Sequence, residues 1–280
     1  MKELSVKRVL FEGILNPDPT SIVSLVSKFL HHSQAGVVAF AAEVGTKLLF
    51  SGKVHDNAIL AGLLVAFFDK SFADLAEEED SDVTEVGSLV RMQQQLVVFF
   101  PAYSMKSKEG KLALISSIGP MLNMITATKT KRGSTWNVAK IVEYIVSTVA
   151  IGKEQVGEKD SNDDTQNNQA IEPSGVLHAC IEVSNFLIQH GDNINMTHLR
   201  GLCKLLGGAD IDIDADHSPT VVALKSNIEE LSLLITDDNS LRSLATVLEL
   251  LEDVEDEISE DDANESDEES ITEALIHMNI

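Results

Sequence analysis

The sequence predicts an all-α protein, a HEAT/armadillo-like α-solenoid of about five helix pairs followed by an acidic tail. Three observations lead there. Apolar residues recur with the 3.6-residue period of a helix through most of the 280 residues, and no run of strand-type alternation competes. Helix starts near residues 19, 54 and 107 are spaced by 35 and, once the acidic insert around 74–85 is subtracted, by about 41 residues, near the roughly 40–47-residue period of two-helix repeats. Hydrophobic residues make up 44% of the chain, enough for a real core, while the charge collects in a few apolar-poor stretches.

Each element has its own signal. Residues 3–14 read as a first helix. Ile22, Leu25, Val26, Phe29 and Leu30 mark the next, entered through Asp18-Pro19 as N-cap and first helical residue. Val37, Phe40, Ala41, Val44 and Leu48 lead to a turn at Ser51-Gly52. Leu60, Leu63, Leu64 and Phe67 follow, then Leu89, Met92, Leu96, Phe99 and Phe100. Ile115, Ile118, Leu122 and Ile125 form one helix that Pro120 should kink. Gly133-Ser134 reads as a turn before Val138, Ile141, Val142 and Ile145. Beyond an acidic linker come the Leu177–Leu187 and Leu199–Leu206 helices, the latter closed by Gly207-Gly208. Ser218-Pro219 opens the Val221–Ile235 helix, and Leu241 to Leu251 gives the last. Such pairs bury their apolar faces only by stacking on neighbours. A closed helical bundle is the runner-up architecture. The expected organisation is a repeat region over 1–151, a linker over 152–173, further helical repeats over 174–257 and a tail over 258–280.

Composition excludes several functions. Aromatics are 5% of residues, too few for a stacking platform for single strands. Two cysteines, Cys180 and Cys203, make neither a disulfide framework nor a four-ligand zinc site, and both sit on apolar helical faces as reduced core thiols. The longest uncharged apolar run, Ile59–Phe68, is half the length of a membrane helix. The expectation is an intracellular soluble protein with no membrane contact. His31-His32 at a helix end reads as surface rather than ligand. The alternating aspartates of 210–216 lack the glycine and glutamate of a calcium loop. No phosphate loop, nucleophile–base pair or metal motif is present, so the reading is a non-enzyme without cofactor, metal or small-molecule substrate.

The formal charge is −24, and residues 249–273 hold fourteen acidic and no basic residues. Against this stands one basic island: Lys106, Lys108, Lys111, Lys129, Lys131, Arg132 and Lys140, with Glu109 the only acid between Ser104 and Lys140. Such a reversal suits phosphate contact, which needs cations without base-reading geometry, and equally suits a solvated face. On one helix, residues 108 and 129 lie about 30 Å apart, so Lys129, Lys131, Arg132 and Lys140 are favoured as one patch. Ser259 and Ser266, each followed by acidic residues, are candidate phosphorylation sites whose modification would deepen the tail's charge and compete with DNA for the island. The segment 271–280 is weakly amphipathic.

The stretch Ala41–Val54, then Ile59–Leu64, then Arg91-Met92-Gln93-Gln94-Gln95-Leu96-Val97-Val98-Phe99-Phe100-Pro101-Ala102-Tyr103, resembles in order the C-terminal HEAT-repeat part of the CAP-G-type non-SMC subunit (subunit 3) of condensin. The Thr135–Thr148 helix resembles the same family, and the likeness covers about residues 5–150. The connection before Val83 is longer and more acidic than that family's, and residues 175–250 match nothing in it. The family's chains are longer, so this one reads as a fragment or a short form. The resemblance implies a non-catalytic regulatory subunit that binds the kleisin subunit, joins the SMC ATPase subunits and holds double-stranded DNA in mitotic chromosome condensation. It implies a place in the nucleus and on mitotic chromosomes, with a cytoplasmic pool in interphase. Under it, Arg91, Gln93 and Gln95, polar on an apolar helix, become candidates for kleisin contact; inter-repeat hydrogen bonding is the other reading. A generic HEAT adaptor and an acidic chaperone of basic nuclear proteins are the competing functions.

Overall fold

The computed structural model describes residues 19–69, 83–127, 136–150, 175–209 and 218–252. The expected first helix, the Gly133-Ser134 turn, the acidic linker, the aspartate loop and the tail lie outside them. Among the described residues every regular element is helical. The chain divides into two compact units, Met1–Asn167 with Asn193–Gly201, and Asn168–Asp192 with Leu202–Ile280.

The first unit contains α1 (Pro19–Leu30), α2 (Ala35–Phe50), α3 (Asn57–Phe68), α4 (Val83–Lys106), α5 (Lys108–Ser116), α6 (Ile118–Ala127) and α7 (Val138–Ala150). It is a stack of helices of the expected HEAT/armadillo kind. Helix α1 packs on α2 and α3, α2 on α4, α3 on α6, and α4 on α5 and α7. Helix α3 is the pivot because its sequence, NAILAGLLVAFF, is apolar on every side. Ile59, Leu60, Ala61, Leu63 and Leu64 are fully buried, and Asp56 caps the helix by accepting the Ile59 N–H at 2.7 Å. Helix α2 comes close to α3 at Gly45, where a Cβ would stand 3.2 Å from Ile59 Cγ2.

Phe99-Phe100-Pro101-x-Tyr103 is the aromatic hinge of this unit. Phe100 lies 5.8 Å from Phe67 of α3 and 6.1 Å from Tyr144 of α7, ring centre to ring centre, and Tyr103 stacks on Phe99 at 5.3 Å. Tyr144 also meets Phe67 and Phe68 at 5.5 and 5.4 Å. Such pairs contribute about 0.5–1.5 kcal/mol each beyond burial, so the motif ties three helices together. Burial also pushes the Tyr103 and Tyr144 phenols up in pKa. Pro101 sits inside α4 rather than ending it. It has no N–H to offer the Val97 carbonyl, on a side of the helix that faces outward.

The helix expected through 107–127 is two helices. Pro120 excludes the bond to the carbonyl of residue 116, so α5 ends at Ser116 and α6 begins at Ile118. The buried Ser117 hydroxyl at the break donates to the Leu114 carbonyl at 2.6 Å. At the other end Ser107 separates α4 from α5, its hydroxyl accepting the Gly110 N–H at 3.1 Å. Glycine is required at 110, because a Cβ there would collide with the Tyr103 carbonyl.

The second unit contains α8 (Gly175–His190), the residues of α9 (Met196–Gly207) from Leu202 on, α10 (Ser218–Leu234) and α11 (residues 238–252). Leu177, Cys180, Val183, Phe186 and Leu187 of α8 are buried, as are Val221, Leu224, Ile228 and Leu231 of α10, which packs on α8. Asn227 crosses that interface, its amide donating to Ser184 and Asn185 side chains at 3.0 Å each. Asp237 caps α11 through the Ser240 N–H and hydroxyl at 3.0 and 2.9 Å. Cys180 and Cys203 are buried as expected, which pushes their thiols up to about 12 and about 11.

Candidate nucleic-acid and partner interface

The basic island divides along the helix axis. Lys106 ends α4, Lys108 and Lys111 belong to the first turn of α5, and the chain then travels the length of α5 and α6 before reaching Lys140 on the first turn of α7. Lys140 is exposed. Lys129, Lys131 and Arg132 lie outside the described residues. From Lys108 to Ala127 the chain runs through two helices that break at Ser117, so the single straight helix on which the spacing separated the two clusters does not form.

Around the early lysines the fold brings in residues that no local pattern announces. Lys106 donates to the carbonyl of Phe50, the last residue of α2, and its ammonium lies 5.0 Å from the centre of the Phe50 ring. That bond satisfies an orphan carbonyl and places a cation at the negative end of α2. It also docks the α4–α5 joint against the turn after α2. That turn carries Lys53 and His55, both exposed. The Glu109 carboxyl registers the arrangement. It is held below the usual carboxylate range first by its own backbone N–H, then by the Ser107 hydroxyl, and further by the charges of Lys108 and His55.

The result is a ridge built from two segments some fifty residues apart in sequence: Lys53 and His55 from one, Lys106, Lys108 and Lys111 from the other. Asp56 caps α3, and Glu109 folds back on its own helix start. The N-terminus of α5 adds its partial positive charge to the same place. Beside the ridge is an open cleft lined by Ser24, Ser27, Lys53, His55 and Asp56. Together these groups favour an extended polyanion, through charge rather than through any shaped pocket.

Arg91, Gln93 and Gln95 are not a single face. Arg91 and Gln95, four residues apart, share one side of α4; Gln93 lies roughly 200° round the helix from each. Gln95 is half-buried, and its amide donates to the Thr46 hydroxyl of α2, which in turn donates to the Glu43 carbonyl at 3.0 Å. It therefore serves the packing of α2 on α4. Gln93 is half-buried and Arg91 exposed. His32 accepts the Gln34 N–H on its Nδ1 at 3.1 Å, at the surface turn after α1. Among the described residues no group of His, Cys, Asp and Glu is placed to hold a metal, and no helix is long and apolar enough to cross a membrane.

Residues 5–211 match the family model described as nuclear condensing complex subunits, C-terminal domain. The match runs past residue 150, where the sequence resemblance stops, to take in α8 and α9. No curated protein matches the chain.

Proposed function

The chain belongs to the family of nuclear condensing complex subunits, whose C-terminal domain it carries over most of its length, and from that membership we propose that it is a non-catalytic, CAP-G-type regulatory subunit of condensin. It binds the kleisin subunit, through it joins the SMC ATPase subunits, and contacts the phosphates of double-stranded DNA during mitotic chromosome condensation. Its place is the nucleus and the mitotic chromosome.

The observation that carries the DNA part is the ridge. In a chain of net charge −24, Lys53, Lys106, Lys108 and Lys111 with His55 converge from two segments on the positive end of one helix. Duplex DNA is a dense line of phosphates, and sequence-independent binding needs cations laid along an edge. Lys129, Lys131, Arg132 and Lys140 extend the same chemistry as a second patch. Phosphorylation of Ser259 and Ser266 would add charge to the acidic tail and weaken DNA binding by competition.

The assembly part is tested by recovering the tagged chain from mitotic extract. Co-elution of kleisin and SMC subunits, resistant to nuclease, is the expected result. Their absence from a preparation shown helical by circular dichroism would overturn it.

A further inference from the structure

Helix α4 has an outer face that the fold leaves uncovered. Val90, Val97, Val98 and Met105 are 46–68% exposed, with half-buried Pro101 among them. They lie on the side of the helix away from Leu89, Met92, Leu96, Phe99, Phe100 and Tyr103, all of which are buried. From residue 90 to residue 105 the strip is about 22 Å long. One polar side chain, Gln94, interrupts it.

Local chemistry does not explain this strip. Valine is a poorer helix former than leucine or alanine, and an exposed valine gains nothing from burial to offset that. A proline inside a helix removes a backbone hydrogen bond and crowds the preceding turn. It also leaves the Val97 carbonyl without its helical donor, so an acceptor sits within the apolar strip. Three exposed valines and a proline on one face of a helix indicate a demand beyond local helix formation.

We propose that this face of α4 is a docking surface for a segment of another polypeptide, apolar along its length and acidic at the end that meets Arg91. The inference rests on the reading of the chain as an assembly subunit and names the chemistry of the kleisin segment it would take. Charge sets one end: exposed Arg91 stands beside Val90, whereas the Lys106 ammonium at the other is held by the Phe50 carbonyl and ring. A segment of about 15 residues as a helix, or about seven as an extended strand, spans the strip. A second copy of this chain is a poor occupant. Each copy carries a net charge of −24, so two copies repel one another. An anionic membrane is a poor occupant too, because a body of charge −24 is repelled by it and the strip lacks the Trp, Phe and Leu of interfacial helices.

The probe is a set of overlapping peptides of about 15 residues tiling the kleisin subunit, presented to the full chain, with the tightest binder then titrated by fluorescence anisotropy. The Val97→Glu/Val98→Glu chain should lose about tenfold or more in affinity at unchanged melting temperature, since both residues lie outside the core. Arg91→Glu should lose about fivefold and recover when the acidic residue at one end of the peptide is exchanged for lysine. Val222→Glu, equally exposed on α10, should change nothing. Peptides that bind but ignore the α4 substitutions would overturn this surface and leave the kleisin reading standing. A bound peptide without an acidic end would overturn the proposed chemistry. No binding peptide at all would overturn both, and self-association or binding to anionic vesicles that the double glutamate variant abolishes would assign the strip to another occupant.

Discussion

Neutralising the ridge should flatten the salt dependence of DNA binding by a calculable amount. Lys53, Lys108 and Lys111 are the perturbation, each changed to glutamine. Lys106 is left alone because it holds the Phe50 carbonyl and its loss would loosen the α2–α4 packing. On duplex DNA each neutralised phosphate contributes about 0.9 to the slope of log affinity against log salt. Three contacts give about 2.7. Between 50 and 200 mM salt that slope alone removes affinity by about 40-fold, so the native chain should lose that much more than the triple variant over the same range. The assay is a titration of a labelled duplex at four or five salt concentrations, with circular dichroism to show that the helices persist. Lys53 and Lys108 are exposed and Lys111 is half-buried, so folding should not fail. A slope that changes by less than about one, the value of a single contact, would refute the ridge as a DNA edge. The same measurement on Lys129, Lys131, Arg132 and Lys140, reversed to glutamate, shows which end of the helix stack the duplex follows. An unchanged slope there would exclude the second patch.

Three further outcomes follow from the packing. Gly207→Ala should destabilise the second unit by about 1–3 kcal/mol in urea denaturation, because a Cβ would stand 2.6 Å from the Ser243 carbonyl, while Gly87→Ala, whose Cβ meets nothing within 4 Å, should stabilise by up to about 1 kcal/mol. Cys180 and Cys203, with thiols raised to about 12 and about 11, should resist a disulfide reagent at pH 8 in the native chain and both react once it is unfolded; rapid native labelling would contradict their burial. Burial raises the Glu182 carboxyl, so its penalty is absent below the ordinary carboxylate range, appears as pH rises, and is complete above the raised value. The unfolding midpoint of the second unit should therefore fall as pH climbs from about 4 toward 7, and Glu182→Gln should remove much of that fall; an identical pH profile in the variant would rule the carboxyl out.

The fold was legible because helical periodicity is a local code. Ile22 to Leu30, Val37 to Leu48 and Leu60 to Phe67 each carry the spacing that makes a helix bury one side, and each appears as expected in α1, α2 and α3. The departures came where a single residue competes with that code. Pro120 was expected to bend one helix and instead divides it at Ser117, because a buried serine can satisfy the Leu114 carbonyl there. Pro101 carries the same steric signal yet stays inside α4, where Phe100 before it packs on Phe67 and Tyr144, and Tyr103 after it stacks on Phe99. Proline signals a lost hydrogen bond; whether the helix ends depends on the packing that surrounds it.

The site was legible only in part, and the reason is physical. Charge clustering along the sequence is visible when the residues are neighbours, as in Lys106, Lys108 and Lys111. Lys53 and His55 are single basic residues in a turn, and nothing within ten positions of them signals a site. They join the ridge because Lys106 reaches back to the Phe50 carbonyl and fixes the α4–α5 joint against that turn. Gln95 shows the converse. Its polarity on an apolar helix suggested partner contact, but the same polarity is used within the fold, on Thr46 of the helix it packs against. The valines of the same helix stand off its periodic face of Leu89, Met92, Leu96, Phe99 and Phe100, and periodicity alone says nothing of what meets them. Their exposure, opposite a face that is fully buried, is what marks the outer side of α4 as a surface for a partner.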